Sequence, residues 1–264
     1  MGKIYAIANQ KGGVGKTTTS VNLAASLAAT KKRVLLVDLD PQGNATMGSG
    51  VDKNGVEFSI YDVLMGLTRL ESSLQVSPDG HFSVLPANGD LTAAEVEMLA
   101  LDNREYRLKN ALAEVSNQFD FVLIDCPPSL NMLTVNGLTA CDGVIIPMQC
   151  EYYALEGLSA LVNTINTIQD RLNPNLKIEG LLRTMYDPRN SLTGDVSQQL
   201  HNHFGEKVYR TCVPRNVRLA EAPSFGMPVI AYDKASKGAL AYIALAGEIL
   251  RRNEVSDTTL ATAS

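Results

Sequence analysis

The segment Asn9-Gln10-Lys11-Gly12-Gly13-Val14-Gly15-Lys16-Thr17-Thr18 holds the residue types that can cradle a chain of phosphates. Glycines at 12, 13 and 15 allow a tight turn and let backbone N–H groups point inward. A helix opening near Lys16 adds a positive dipole end and unpaired donors, both of which favour an anion. Lys16 is then placed to reach the β- and γ-phosphates of a nucleotide, and the Thr17 hydroxyl to bind Mg2+. The nucleotide-binding candidates of the loop are therefore Gly12, Gly13, Val14, Gly15, Lys16, Thr17 and Thr18. The strict pattern G-x-x-x-x-G-K-[ST] is not met, because Gln10 stands where the first glycine would fall. What stands instead is K-G-G-x-G-K-T, with an additional lysine, Lys11, ahead of the glycines.

Carboxylates follow at the ends of apolar runs. Arg33 to Asn44 reads as a buried strand ending in Asp38 and Asp40. Residues two apart share a face while a strand continues, and ligands of open α/β sheets bind at strand carboxyl ends. Pro41 and Gly43 end the strand and start a loop able to respond to a γ-phosphate. Phe121 to Ser129 is a second such run, ending in Asp125, where an acidic group can hold the Mg2+ shell. Pro127-Pro128 stiffens its exit. No Ser–His–Asp arrangement is apparent, and His81, His201 and His203 are read as surface residues. Cys126, Cys141, Cys150 and Cys212 form no C-x-x-C pair and are read as small core residues of a reducing cytoplasm.

The elements that must position these groups alternate along the chain. Strands are predicted at Ile4–Asn9, Val34–Asp40, Phe82–Pro86, Phe121–Asp125, Gly143–Met148, Ile178–Met185 and Val208–Val213. Helices are predicted at Lys16–Thr30, Ile60–Leu67, Thr92–Asn117, Asn131–Ala140, Leu155–Leu172, Leu192–Phe204 and Ala235–Arg252. This is an α/β pattern: a mostly parallel twisted sheet with helices on both faces, like that of P-loop NTPases. With no internal repeat and no linker composition, residues 1–252 read as one domain and 253–264 as a flexible polar tail.

Composition bounds the alternatives. The 264 residues are 45% apolar and 19% charged, enough for a sizeable core and too apolar for general disorder. No window approaches ~20 uninterrupted apolar residues, as a spanning helix would need, and the N-terminus does not resemble a secretory signal. The formal charge of −5 argues against a nucleic-acid partner only as a sum. Residues 1–176 carry 12 Lys+Arg against 19 Asp+Glu, whereas residues 177–254 carry 11 against 8. Positive charge is thus concentrated in the last third, as a local electrostatic footprint would require.

The loop with its extra lysine resembles that of the ParA/MinD group of P-loop ATPases. Gln149-Cys150-Glu151-Tyr152-Tyr153-Ala154-Leu155-Glu156-Gly157-Leu158 and Arg218-Leu219-Ala220-Glu221-Ala222-Pro223-Ser224 resemble the chromosomal ParA (Soj) branch in particular. The resemblance covers residues 1 to about 250. It implies an ATP hydrolase of weak intrinsic activity that uses ATP and Mg2+. It implies that Lys11 reaches the nucleotide of a partner subunit in an ATP-bound homodimer, positive charge delivered in trans as by a finger residue. It further implies that Asp40 orients or polarises the attacking water, that Asp38 supports Mg2+ and its waters, and that the loops after Asp40 and Asp125 are switch regions. In Thr211 to Arg218, Pro214 and Asn216 match the segment that closes over the adenine. Arg189 and Arg218 match arginines that bind DNA without sequence preference. A ParB-type centromere-binding protein is the implied partner, and a cytoplasmic, nucleoid-associated location follows.

The alternatives are a MinD-like ATPase, or another member of the superfamily positioning a non-DNA cargo. A membrane anchor of the MinD kind would be a basic amphipathic C-terminal helix, and residues 253–264 contain no Lys or Arg. An iron–sulfur carrier would need bridging cysteines, and a capsule-type tyrosine kinase a Tyr-rich tail; this sequence shows neither. A non-hydrolysing nucleotide-binding scaffold is disfavoured by Asp40.

Overall fold

A computed structural model describes residues 2–262 apart from Ser116 and Tyr153, and for residues 255–262 it describes the backbone only. Tyr153 of the Gln149–Leu158 motif and the last two residues of the tail thus lie outside the described residues.

The strands are β1 (Lys3–Ile7), β2 (Val34–Asp38), β3 (Gln75–Val76), β4 (Ser83–Leu85), β5 (Phe121–Asp125), β6 (Gly143–Gln149), β7 (Lys177–Tyr186) and β8 (Val208–Pro214). They form one sheet in the order β3-β4-β2-β5-β1-β6-β7-β8. Every neighbouring pair is parallel except β3–β4. The helices are α1 (Lys16–Ala28), α2 (Asn44–Gly48), α3 (Ile60–Met65), α4 (Leu91–Glu97), α5 (Arg107–Val115), α6 (Met132–Ala140), α7 (Ala154–Arg171), α8 (Ser191–Phe204), α9 (Val217–Glu221), α10 (Val229–Tyr232) and α11 (Lys237–Thr262).

The apolar runs are continuous because the central strands are covered on both sides. Leu35 and Val37 of β2, with Val122 and Ile124 of β5, join a core with α3 to α8. Val34 and Leu36, with Phe121 and Leu123, join a second core with α1, α9, α10 and α11. Strand parity therefore puts Asp38 and Asp125 on the α1 side of the sheet. This parity is what places two carboxylates under the first helix.

Three expectations about the elements change. The single helix predicted over 92–117 is two helices, α4 and α5, separated by short 3-10 turns. Asn103 sits between them at φ 51, a left-handed conformation that ends a helix and that Asn tolerates. Three short helices, α2, α9 and α10, stand where loops are expected. Helix α11 continues past residue 252 to Thr262; no Gly or Pro lies between Gly247 and Thr262 to stop it. Among the described residues no helix is long and apolar enough to cross a membrane.

Candidate nucleotide-binding site

The loop between β1 and α1 turns on Gly13 and Gly15, at φ 73 and φ 88. Gly15 caps α1 in the left-handed region, where a side chain would be strained. Neighbouring strands hold the loop through its carbonyls. Gln149 Nε2 donates to the Gly13 carbonyl at 3.1 Å, and Thr184 Oγ1 to that of Val14 at 2.8 Å. In a planar trans peptide the next N–H points the opposite way, so the Val14 and Gly15 N–H groups face away from these partners. Asn9 ties the base of the loop, donating from Nδ2 to the Pro147 carbonyl at 2.8 Å and accepting from the Lys11 N–H at 2.9 Å.

The two lysines of the loop are placed differently. Lys16 is buried, 7% exposed, with Nζ 3.4 Å from the Lys11 carbonyl. Burial lowers its pKa, while Asp125, Cys126 and Asp40 pull it back up. Lys11 projects outward and pairs with Glu151 at 2.5 Å, its side chain 46% exposed. One ammonium is thus inside the site and the other on its rim.

Beneath the loop, Asp38 and Asp125 are paired in register on adjacent strands and fully buried. Asp38 accepts from the Thr46 N–H at 2.8 Å and the Thr46 hydroxyl at 2.7 Å. Gly43, at φ 63, opens the α2 turn that brings Thr46 there; a Cβ on it would lie 2.6 Å from the Ala87 carbonyl oxygen. Asp125 Oδ1 accepts from the Ser20 hydroxyl at 2.8 Å, and the Thr17 side chain lies near enough to favour the charged carboxylate. Burial pushes Asp38 up to about 6, with the Asp40 carboxylate adding to the shift, and Asp125 up to about 7, with the carboxylates of Asp38 and Asp40 adding. Asp125 Oδ2 is buried with no hydrogen-bond partner. A buried acceptor left in this state is costly unless a cation or its waters complete it, so the donor set fits Mg2+. Among the described residues no group of three or more His, Cys, Asp or Glu is arranged to hold a metal. A hard cation here must draw on the Thr17 hydroxyl, water and phosphate oxygens. Asp40 is only partly buried and its Oδ1 accepts from the Gln42 N–H at 3.0 Å.

Pro214 and Asn216 line a cavity of about 190 Å³ with Gly15, Thr18, Thr184 and Tyr242. The cavity adjoins the phosphate loop through Gly15 and Thr18, as a base pocket must. Asn216 Oδ1 is buried without a partner.

A family model described as an AAA domain matches residues 2–178. The sporulation initiation inhibitor protein Soj of Bacillus subtilis is 54% identical over 249 residues, covering 94% of this chain and 98% of Soj. The chromosome partitioning protein ParA of Myxococcus xanthus is 50% identical, over 96% of this chain and 89% of its own. The chain belongs to the ParA/Soj family of chromosome-partitioning ATPases. A solved structure from Mycobacterium smegmatis, named cobyrinic acid a,c-diamide synthase and holding ADP and magnesium, has a TM-score of 0.85 at 41% identity, covering 96% of each chain. As a ParA/Soj member the chain is an ATP hydrolase working with ATP and Mg2+.

The ParA/Soj loop residues, the carboxylates and Pro214 with Asn216 all converge on one end of the sheet. Arg189 and Arg218 are at the surface, each held by carboxylates. Arg189, 88% exposed at its side chain, pairs with Asp187 at 2.8 Å and holds that carboxyl down to about 2. Arg218 pairs with Glu221 at 2.8 Å and Asp233 at 3.3 Å.

Other residues prove to be part of the site's frame. Ser20 lies one helical turn after Lys16, and that i, i+4 spacing is the only sequence signal for it. Thr46 sits in a helix too short to predict. Glu151 meets Lys11 from 140 positions away. Among the histidines, His81 and His203 are exposed, but His201, on α8, is partly buried, which lowers its pKa. Cys126, Cys141 and Cys150 are buried as expected, Cys212 is only partly so, and all are free thiols.

Proposed function

We propose that this chain partitions DNA by cycling between an open protomer and an ATP–Mg2+ homodimer. The observation that carries the reading is the division of labour between the two loop lysines. Lys16 is buried beside the loop, as a lysine for its own nucleotide would be, whereas Lys11 ends half-exposed on the rim, as one for a second subunit's phosphates would be.

In this cycle the loop N–H groups and Lys16 bind the triphosphate, and Asn216 Oδ1 accepts from the adenine amino group. The Thr17 hydroxyl would hold Mg2+, with Asp38 and Asp125 beneath its waters; the ion supplies neutralisation of charge spread across the β- and γ-phosphates. Asp40 accepts from the attacking water and orients it. Lys11 of each protomer stabilises charge on the other's transferring phosphoryl group. Turnover is slow until closure and a ParB-type partner complete this arrangement.

DNA is held by the ATPase surface itself. Arg189 and Arg218 exchange their carboxylate partners for phosphates, giving salt-dependent binding with no base readout. The resulting location is the nucleoid.

The test is DNA binding by the full chain with ATP, with ADP and without nucleotide, at fixed moderate salt. Binding confined to the ATP state supports the reading. Equal binding in all states, or none, overturns it; a synthase of the kind the Mycobacterium smegmatis protein is named for would show no nucleotide-dependent DNA binding.

A further inference from the structure

Lys11 is held by the segment leaving β6. Pro147 accepts from Asn9, Gln149 donates to Gly13, and Glu151 accepts from the Lys11 ammonium. The first two contacts are bonds to backbone carbonyls or within the strand frame, and they fix the shape of the loop whatever Lys11 does. The third contact fixes only the direction of the Lys11 side chain. Its partners are half-exposed, at 46% and 52%, so the bond can open without unfolding anything.

We propose that Glu151 is a positioning residue for Lys11, a latch within one protomer that closure must open. This rests on the reading that Lys11 acts on the partner's nucleotide. Bound to Glu151, the Lys11 ammonium is shared with its own chain, and it gives its full charge to a second subunit's phosphates only on leaving that carboxylate. The dimer therefore forms by exchange: the carboxylate gives up Lys11 and the partner's triphosphate, with more negative charge, takes it. The cost of opening the latch is the same whichever nucleotide the partner holds, so it raises the concentration at which dimers form and leaves the preference for ATP to the phosphates themselves. An exposed pair of this type shifts an equilibrium only a few-fold, and the shift fades as salt screens it.

The experiment measures ATP-driven dimerisation by sedimentation, with a slowly hydrolysed ATP analogue and Mg2+, across protein concentration. Glu151→Gln should dimerise at about two- to five-fold lower protein concentration than wild type at low salt. The difference should vanish near 1 M salt, where the screening length is about 3 Å. Glu151→Asp, which keeps the charge, should behave as wild type. Melting temperatures of all three should agree closely, since the pair is exposed. An unchanged or higher threshold for Glu151→Gln overturns the latch. Lys11→Ala separates the two claims: if it dimerises normally, the reading of Lys11 in trans fails; if it does not dimerise while Glu151→Gln matches wild type, only the latch fails.

Discussion

Asp38 and Asp125 stand opposite each other in register on parallel strands β2 and β5, both on the α1 face and both fully buried. Like charges so placed resist ionising together, and burial raises the pKa of each. The buried Lys16 ammonium answers part of that cost through its attraction to Asp125.

A pH dependence follows from the direction of these shifts. Unfolded aspartates titrate near 4, whereas the folded pair titrates at about 6 and about 7. Between these limits the folded state keeps protons that the unfolded chain has released, so this pair's contribution to stability falls as pH rises and is lost above about 7. The nucleotide-free protein should melt lower at pH 8 than at pH 5.5. Asp125→Asn, which mimics the protonated acid, should flatten this dependence and raise the pH 8 melting temperature by on the order of 5 °C. Identical slopes for variant and wild type in calorimetry would contradict the assignment. Nucleotide with Mg2+ should also release protons near neutral pH, seen as buffer-dependent binding heat.

Lys16→Ala removes the buried counter-charge. Phosphate release should fall by on the order of 10²–10³-fold, and binding of a fluorescent ATP analogue should weaken with it. The nucleotide-free variant should also be less stable than wild type at pH 8, where both carboxylates are ionised without a cation. Normal turnover would remove Lys16 from the site.

Asp40→Ala separates binding from hydrolysis. Asp40 touches the backbone only through its own turn and is partly exposed, so its loss should leave the fold intact. ATP binding and dimerisation should persist, hydrolysis should drop by about 10²–10⁴-fold, and DNA complexes should outlive those of wild type. Prompt release of the variant from DNA after ATP addition, followed by filter binding, would contradict the role given to Asp40.

Much of this site was legible because its signals are local. Gly13, Gly15, Lys16 and Thr17 are contiguous, and Asp38 and Asp125 end apolar runs whose parity can be counted. What was not legible depends on long-range packing. Nothing near Lys11 in sequence points to Glu151, and nothing near Asp38 says that a five-residue helix will swing Thr46 beneath it. The break at Asn103 escaped because the apolar spacing on each side suits a helix, and only the left-handed turn between them separates α4 from α5.

Asn216→Ala tests the base pocket. The buried Asn216 Oδ1 lacks a partner in the protein, so a base amino group that supplies one should be worth a normal buried hydrogen bond. Affinity for ATP and for ADP should fall together, by about tenfold. GTP, which presents an acceptor at the matching position, should bind the wild type weakly and gain nothing from Asn216. A loss confined to ATP would point to the phosphates and not the base.

Arg218→Glu tests the DNA surface by its salt dependence. In wild type the Arg218 guanidinium lies between Glu221 and Asp233. It can be lent to a DNA phosphate because this partnership is exposed and weak. Reversing the charge removes one phosphate contact per protomer, so for a dimer the slope of log affinity against log salt should shrink by about 1.8. Dimerisation should be unaffected, since the Arg218 side chain is half-exposed and bound only to Glu221 and Asp233. A uniform loss of affinity with an unchanged slope would mean a distorted surface and not a lost phosphate contact. Unchanged affinity at moderate salt would exclude Arg218 and leave Arg189 and its Asp187 partnership as the next surface to test.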